Sequence, residues 1–247
     1  MHFANKNAGL LILGALLTQQ SYAIDVNVGD YTTLPSGTNL GVFYYQHSEM
    51  DGYYQKGDKT HADSRSDIGI ARFIHYTDIA GLRATPQVVI PFGSVRNTQI
   101  GDAHLNNASG FADPIIASAF WLINQPEQGA SGRYLAVTPF IYLPLGQYDK
   151  HDAVNLGENR FKYDVQLAWV QPLYGKWGFE FYQDAIWYGD NDDAGSGNQT
   201  LSQDTSYQTQ VNLRYDLNAK QRIALGYAAN YGGEQSLDGI KLNQNME

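Results

Sequence analysis

The sequence predicts an all-β fold, an antiparallel up-and-down transmembrane β-barrel with about nine strands visible. Three observations predict it. From Thr205 to Tyr215, Tyr207, Val211, Leu213 and Tyr215 take one parity, against Gln208, Gln210, Asn212 and Arg214 on the other. Successive side chains of a strand point to opposite faces, so this is a ribbon with one greasy and one wet side. The pattern recurs along a chain that begins like a secreted protein. Lys6 supplies a positive charge, Ala8 to Leu17 a short apolar run, and Ser21-Tyr22-Ala23 a cleavage site of the small-x-small type. That run falls well short of the roughly twenty residues a membrane helix needs, and no later segment approaches that length. Finally, long and short connections alternate along the chain.

The expected organisation is a signal peptide over 1–23, cleaved after Ala23, and one outer-membrane barrel domain over 24–247. Its strands come in order. Thr38 to Ser48 is the first, followed by the polar stretch Glu49 to Arg65. Ser66 to Thr77 is less regular, because Arg72 shares parity with Ile68, Ile70 and Ile74. After a turn at Asp78 to Gly81, Leu82 to Ile90 sets Leu82, Ala84, Pro86, Val88 and Ile90 against Arg83, Thr85, Gln87 and Val89. Pro86 is its blemish, since proline cannot donate to a ladder. Pro91 to Gly110 reads as a long polar loop, and Phe111 to Ile123 and Tyr134 to Leu143 as the next strands. Past the loop Pro144 to Arg160, Phe161, Tyr163, Val165, Leu167 and Trp169 oppose Lys162, Asp164 and Gln166. Trp177 to Trp187, Thr205 to Tyr215 and Arg222 to Tyr231 complete the nine. Connections after odd strands run about 16 to 20 residues and those after even strands about 4 to 10, the rhythm of external loops and periplasmic turns. Tyr163, Trp169, Trp177, Trp187, Tyr207 and Tyr215 sit near strand ends, as interfacial girdles require.

Composition excludes several classes. Sixteen Lys and Arg face 25 Asp and Glu, and losing Lys6 with the signal takes the net charge from −9 to −10, which argues against nucleic acid. There is no cysteine, hence no disulfide and no thiolate metal site. Neither Gly-x-Ser-x-Gly nor His-Glu-x-x-His occurs, and His47, His61, His75, His104 and His151 have no spaced Ser/Asp set, so an outer-membrane lipid-modifying enzyme is the weakest reading. Asp190 to Gly195 begins like a calcium loop but has Ala194 and Leu201 where ligands belong, and reads as a solvated acidic loop. No cofactor and no metal site are expected.

The wording of several segments is more specific. Leu34-Pro35-Ser36-Gly37-Thr38 precedes the first strand, Val89-Ile90-Pro91-Phe92-Gly93 closes the third, and Gly110-Phe111-Ala112-Asp113-Pro114 opens the fourth. With these the chain resembles the MetA-pathway of phenol degradation family of bacterial outer-membrane proteins. The resemblance implies a Gram-negative outer-membrane channel that passes small aromatic or otherwise apolar compounds, with lipid and lipopolysaccharide around it. Against the even strand numbers of such barrels, the sequence reads as C-terminally truncated from a larger barrel, short of about three strands. The other possibilities are a nine-strand closure, a short tenth strand from Ile24 to Tyr31, and completion by another chain.

The inward parity carries the candidate lumen residues Arg83, Asp113, Asp164, Glu180, Asp184, Arg214 and Arg222. Such groups either set the field of a pore or brace its wall by ion pairs, and bracing is favoured because small barrels are filled by side chains. Passive diffusion along this lining is the expected mechanism. A structural or adhesive envelope barrel with working external loops is the alternative.

Overall fold

A computed structural model of the chain describes residues 26–55, 58–218 and 221–242, so the signal peptide, its cleavage site and the ending at Asn245 to Glu247 lie outside the described residues. No helix forms among them. The wall is built from nine long strands: β1 (Asn39–Met50), β2 (Ala62–His75), β3 (Leu82–Ile100), β4 (Ile115–Gln125), β5 (Arg133–Tyr142), β6 (Lys162–Pro172), β7 (Trp177–Tyr188), β8 (Ser206–Asn218) and β9 (Gln221–Gly232). Each pairs antiparallel with its sequence neighbours, in the order β1 to β9. They form a curled half-barrel. Among the described residues β1 pairs only with β2 and β9 only with β8. β9 nonetheless keeps the wall's alternation, with Ile223, Leu225 and Tyr227 on the outer face and Ala224, Gly226 and Ala228 on the inner.

Register turns the sequence alternation into two girdles. Tyr163 pairs with Trp187 and Tyr207 with Tyr231 toward one end of the wall. At the other end Trp177 pairs with Tyr215, their rings 4.9 Å apart and edge-to-face, and Trp169 meets Phe179 at 5.9 Å. Trp177 and Trp187 are both exposed on β7 (44% and 45%). Their ten-residue separation is about 33 Å along a strand, or about 25 Å of height at a tilt of roughly 40°, which is the thickness of a barrel's apolar band. On β1 to β3 the band ends at a polar cluster on the outer face. There Asp67 accepts from the Tyr45 hydroxyl at 2.7 Å and from Arg96 at 2.5 Å, and lies 2.7 Å from His47 Nδ1. Arg65 and Glu49 pair beside it at 2.7 Å.

Three sequence expectations are revised. The polar stretch after Ile90 is not a loop: β3 runs on to Ile100 and turns back through Ala103–His104 and Ala108–Phe111. The strand expected from Phe111 to Ile123 is broken at Asp113-Pro114, where proline offers no N–H and the Asp113 carboxylate takes two backbone donors from another loop. A strand from Ile24 to Tyr31 is not formed in its described part. Residues 27–32 coil into turns, with Asp30 N–H donating to Asn27 O and Thr32 N–H to Gly29 O.

Beyond the wall's outer end, Asn191–Ala194, Gln199–Gln203, Gln235–Leu237 and Ile240–Lys241 make a small separate sheet from the loops after β7 and β9. The loop between β5 and β6 folds inward instead. Asp113 accepts from Gly146 N–H and Glu158 N–H, both at 2.8 Å, and Asn106 clamps both backbone groups of Val154 at 2.9 Å. A side chain at Gly146 would strike the Ala112 backbone at 2.7 Å, so this approach depends on glycine.

Candidate functional site

The half-barrel curls around a lumen face whose two sides differ. From β2 to β5 the inner face carries an apolar cluster, in which Ile70 packs against Val89, Ile115, Ala117, Phe140 and Tyr142, with the polar groups Arg72, Thr85 and Gln87 beside it. From β6 to β8 it is polar and charged, with Asp164, Gln166, Glu180, Asp184, Gln208 and Arg214 all buried. Strand register stacks the polar side in levels. Thr138, Gln166, Asp184 and Gln208 stand side by side across β5 to β8 at one level. Gln166 Nε2 donates to Asp184 Oδ1 at 2.7 Å within that row.

The segment coiled over residues 26–33 lies between the two sides. Tyr31 is its centre. Its hydroxyl donates to Gln166 Oε1 at 2.5 Å and shares a 2.7 Å hydrogen bond with Thr138 Oγ1. Its ring lies 6.0 Å from that of Trp121 and 5.7 Å from that of Tyr182, and Trp121 Nε1 donates to Tyr31 O at 3.1 Å. Val26 N–H donates to Gln210 and Gly29 N–H to Glu180, each at 3.2 Å. Gly29 has a φ of +91°, and a Cβ there would lie 2.0 Å from Arg222 Nη1, so only glycine fits. Beside the segment a cleft remains, bounded by Asp30, Arg72, Thr85, Gln87, Phe140 and Gln166.

The candidate residues separate into three groups. Glu180 and Arg214 meet at 2.5 Å, both buried. Arg214 also donates to Asp216 at 3.2 Å, while the other Glu180 oxygen accepts from Tyr182 and Gly29. Arg222 extends this network, 3.8 Å from Asp216 and donating to Val28 O at 3.4 Å. Asp164 and Asp184 sit further along the polar side, one pairing level apart. Arg83 and Asp113 serve loops instead. Arg83 donates to Asp78 at 2.9 Å and to the Leu34 carbonyl, tying the chain's entrance to the turn after β2. Asp78 lies outside the wall, and the Arg83 guanidinium holds its carboxyl below the ordinary aspartate value.

Sequence reasoning did not single out Tyr31, Trp121, Glu158, Arg160 and Lys162. Arg160 Nη2 donates to Glu158 at 2.8 Å and to Gln203 at 2.5 Å, and Lys162 donates to the other Glu158 oxygen. Lys162 shares inward parity with Asp164, so that signal was available. Nothing in a periodicity marks Tyr31, which lies on no strand.

The family model described as "Putative MetA-pathway of phenol degradation" matches residues 28–245. The chain belongs to this family. A crystal structure of an outer membrane channel from Pseudomonas putida F1 is similar at a TM-score of 0.82 and 36% identity, over 90% of this chain and 82% of that one. A search of the curated proteins gives no match. For this phenol-degradation family member, fold and membrane therefore agree: an outer-membrane β-barrel of the channel type, whose interior is the place to look for function.

Proposed function

We propose that the chain is a passive channel for small aromatic or otherwise apolar compounds, which move along the apolar side of the lumen and past the segment coiled at its inner end. The observation that carries this reading is the two-sided interior. A pore for hydrophilic solutes gains nothing from burying Ile70, Val89, Ile115 and Phe140 on its inner face, whereas an apolar solute there is removed from water at about 25 cal/mol per Å² of apolar surface. The polar side meets the hydroxyl or other polar group of such a solute and supplies orientation. The lipid band, the girdles and the polar cluster around Asp67 suit surroundings of lipid and lipopolysaccharide. The neighbour in Pseudomonas putida F1 is a channel, which favours this reading over a lipid-modifying enzyme or a purely adhesive barrel.

Residues 26–33 fill the route, so transport requires them to shift. Apolar compounds cross plain phospholipid unaided, so the test uses intact cells, where lipopolysaccharide is the barrier. Uptake of naphthalene at limiting concentration is expected to rise on expression of the chain. Gly29→Val, which strains the left-handed turn and collides with Arg222, should raise it further by loosening the segment. Ile70→Asp should lower it. Uptake indifferent to expression, with the protein folded in the outer membrane, would overturn the proposal.

A further inference from the structure

The polar side of the lumen contains a row that bracing explains only in part: Asp184 accepts from Gln166 at 2.7 Å, but Asp164 and Tyr142 beside it are not answered in that way. Tyr142 pairs with Lys162, Asp164 with Phe140 and Ile186, and Asp184 with Gln166. Tyr142, Asp164 and Asp184 therefore step diagonally across β5, β6 and β7 on the inner face, each within diagonal-neighbour distance of the next, about 7 Å. Asp164 is 1% exposed and Tyr142 6%. Among the described residues both Asp164 oxygens and the Tyr142 hydroxyl have no hydrogen-bond partner. Elsewhere on this wall buried charges are answered: Glu180 by Arg214, Tyr182 and Gly29, and Arg160 by Glu158. Lys162, the next charge along β6, gives its ammonium to Glu158 and lies 4.5 Å over the Tyr142 ring. A carboxylate removed from water with no donor is strongly disfavoured unless a cation or a proton reaches it. The apolar cluster of Val89, Ile115 and Phe140 begins directly beside it.

We propose that Asp164 and Asp184, with the Tyr142 hydroxyl, form a binding site for the ammonium group of an organic cation whose apolar part lies on the Val89, Ile115 and Phe140 surface. This deepens the channel reading by naming a solute class, and rests on it. Electrostatic attraction comes from the two carboxylates, supplemented by the unpartnered Tyr142 hydroxyl oxygen, while the Tyr142 ring is faced by the Lys162 ammonium. Its selectivity is one of charge on a common apolar body.

The test uses the full chain in lipid nanodiscs, with folding checked by heat-modifiable migration, and calorimetric titration with benzyltrimethylammonium, benzyl alcohol and benzoate. The wild type is expected to bind the ammonium at least about tenfold more tightly than the alcohol, and benzoate most weakly. Asp164→Asn, which keeps the shape and removes the charge, should abolish that preference, so that the ammonium binds no more than about twofold more tightly than the alcohol. Asp184→Asn should act in the same direction. Equal binding of the three compounds by the wild type, or a preference that survives Asp164→Asn, would overturn the site. Naphthalene uptake by intact cells reports on the channel separately: a charge preference without any uptake would leave the binding site standing and remove the transport role.

Discussion

The two sides of the wall are the same fold with opposite interiors. On β6 to β8 each strand puts Val, Leu, Trp or Tyr outside, and the inner face carries Asp, Gln, Glu and Arg in polar contacts, with Ala168, Val170 and Tyr182 among them. On β1 to β3 apolar residues stand on both faces, Phe43 and Phe73 outside and Val42, Ile70 and Ile74 inside, the inner ones interleaved with Arg72, Thr85 and Gln87. Alternation of polarity marks a membrane strand only where the lumen is wet. Where apolar side chains also face inward, strand and register persist but the pattern fades.

The largest expected effect comes from the polar side. Arg214→Met strands the buried Glu180 and Asp216 carboxylates, and should cost about 3–5 kcal/mol in denaturant unfolding from lipid vesicles. Next, adjacent residues of β6 separate the faces. Leu167→Arg places a charge in lipid near mid-height and should destabilise by about 2–4 kcal/mol, while Gln166→Arg, one residue away and facing the lumen, should cost clearly less. Equal costs would break the assignment of faces. Tyr31→Phe removes the bonds to Gln166 and Thr138, which join the segment to the polar row across β5 and β6. It should leave the barrel intact and lower the protection of residues 26–33 against hydrogen exchange by about 1–2 kcal/mol.

The smallest effect lies in the outer sheet. Thr200 N–H and Gln199 bond to Asp238 and hold its carboxyl below the ordinary aspartate value of 3.8. Because the folded value is depressed, this contribution is present above 3.8 and is lost as pH falls through the folded value. Proteolysis of the 199–203 and 235–241 strands should therefore accelerate only in strongly acid buffer, and Asp238→Asn should blunt that dependence.

Much of the wall was legible in the chain because a period of two is a local property. Tyr207 to Tyr215 and Tyr163 to Trp169 announce their faces without reference to a partner, and the lumen charges Asp164, Glu180, Asp184 and Arg214 follow from the same parity. What was not legible depends on contacts distant in sequence. Arg72 looked like a fault among Ile68, Ile70 and Ile74; it faces inward with them and donates to Gln87 at 2.7 Å, a polar pair on a face that apolar residues share. The extension of β3 to Ile100 was hidden by polar residues that stand above the lipid. Tyr31 gains its importance only from strands about 90 to 150 residues away, which no window of local sequence contains.

The most direct measurement uses the absence of cysteine, which makes single-cysteine labelling clean. A fluorophore is attached at Phe73→Cys and Ile70→Cys on β2, and at Val165→Cys and Gln166→Cys on β6, in vesicles containing brominated lipid. Strong quenching is expected at 73 and 165 and weak quenching at 70 and 166, because Ile70 faces the lumen despite its apolar character. Quenching at 70 as strong as at 73 would place that surface in lipid and contradict an apolar lumen.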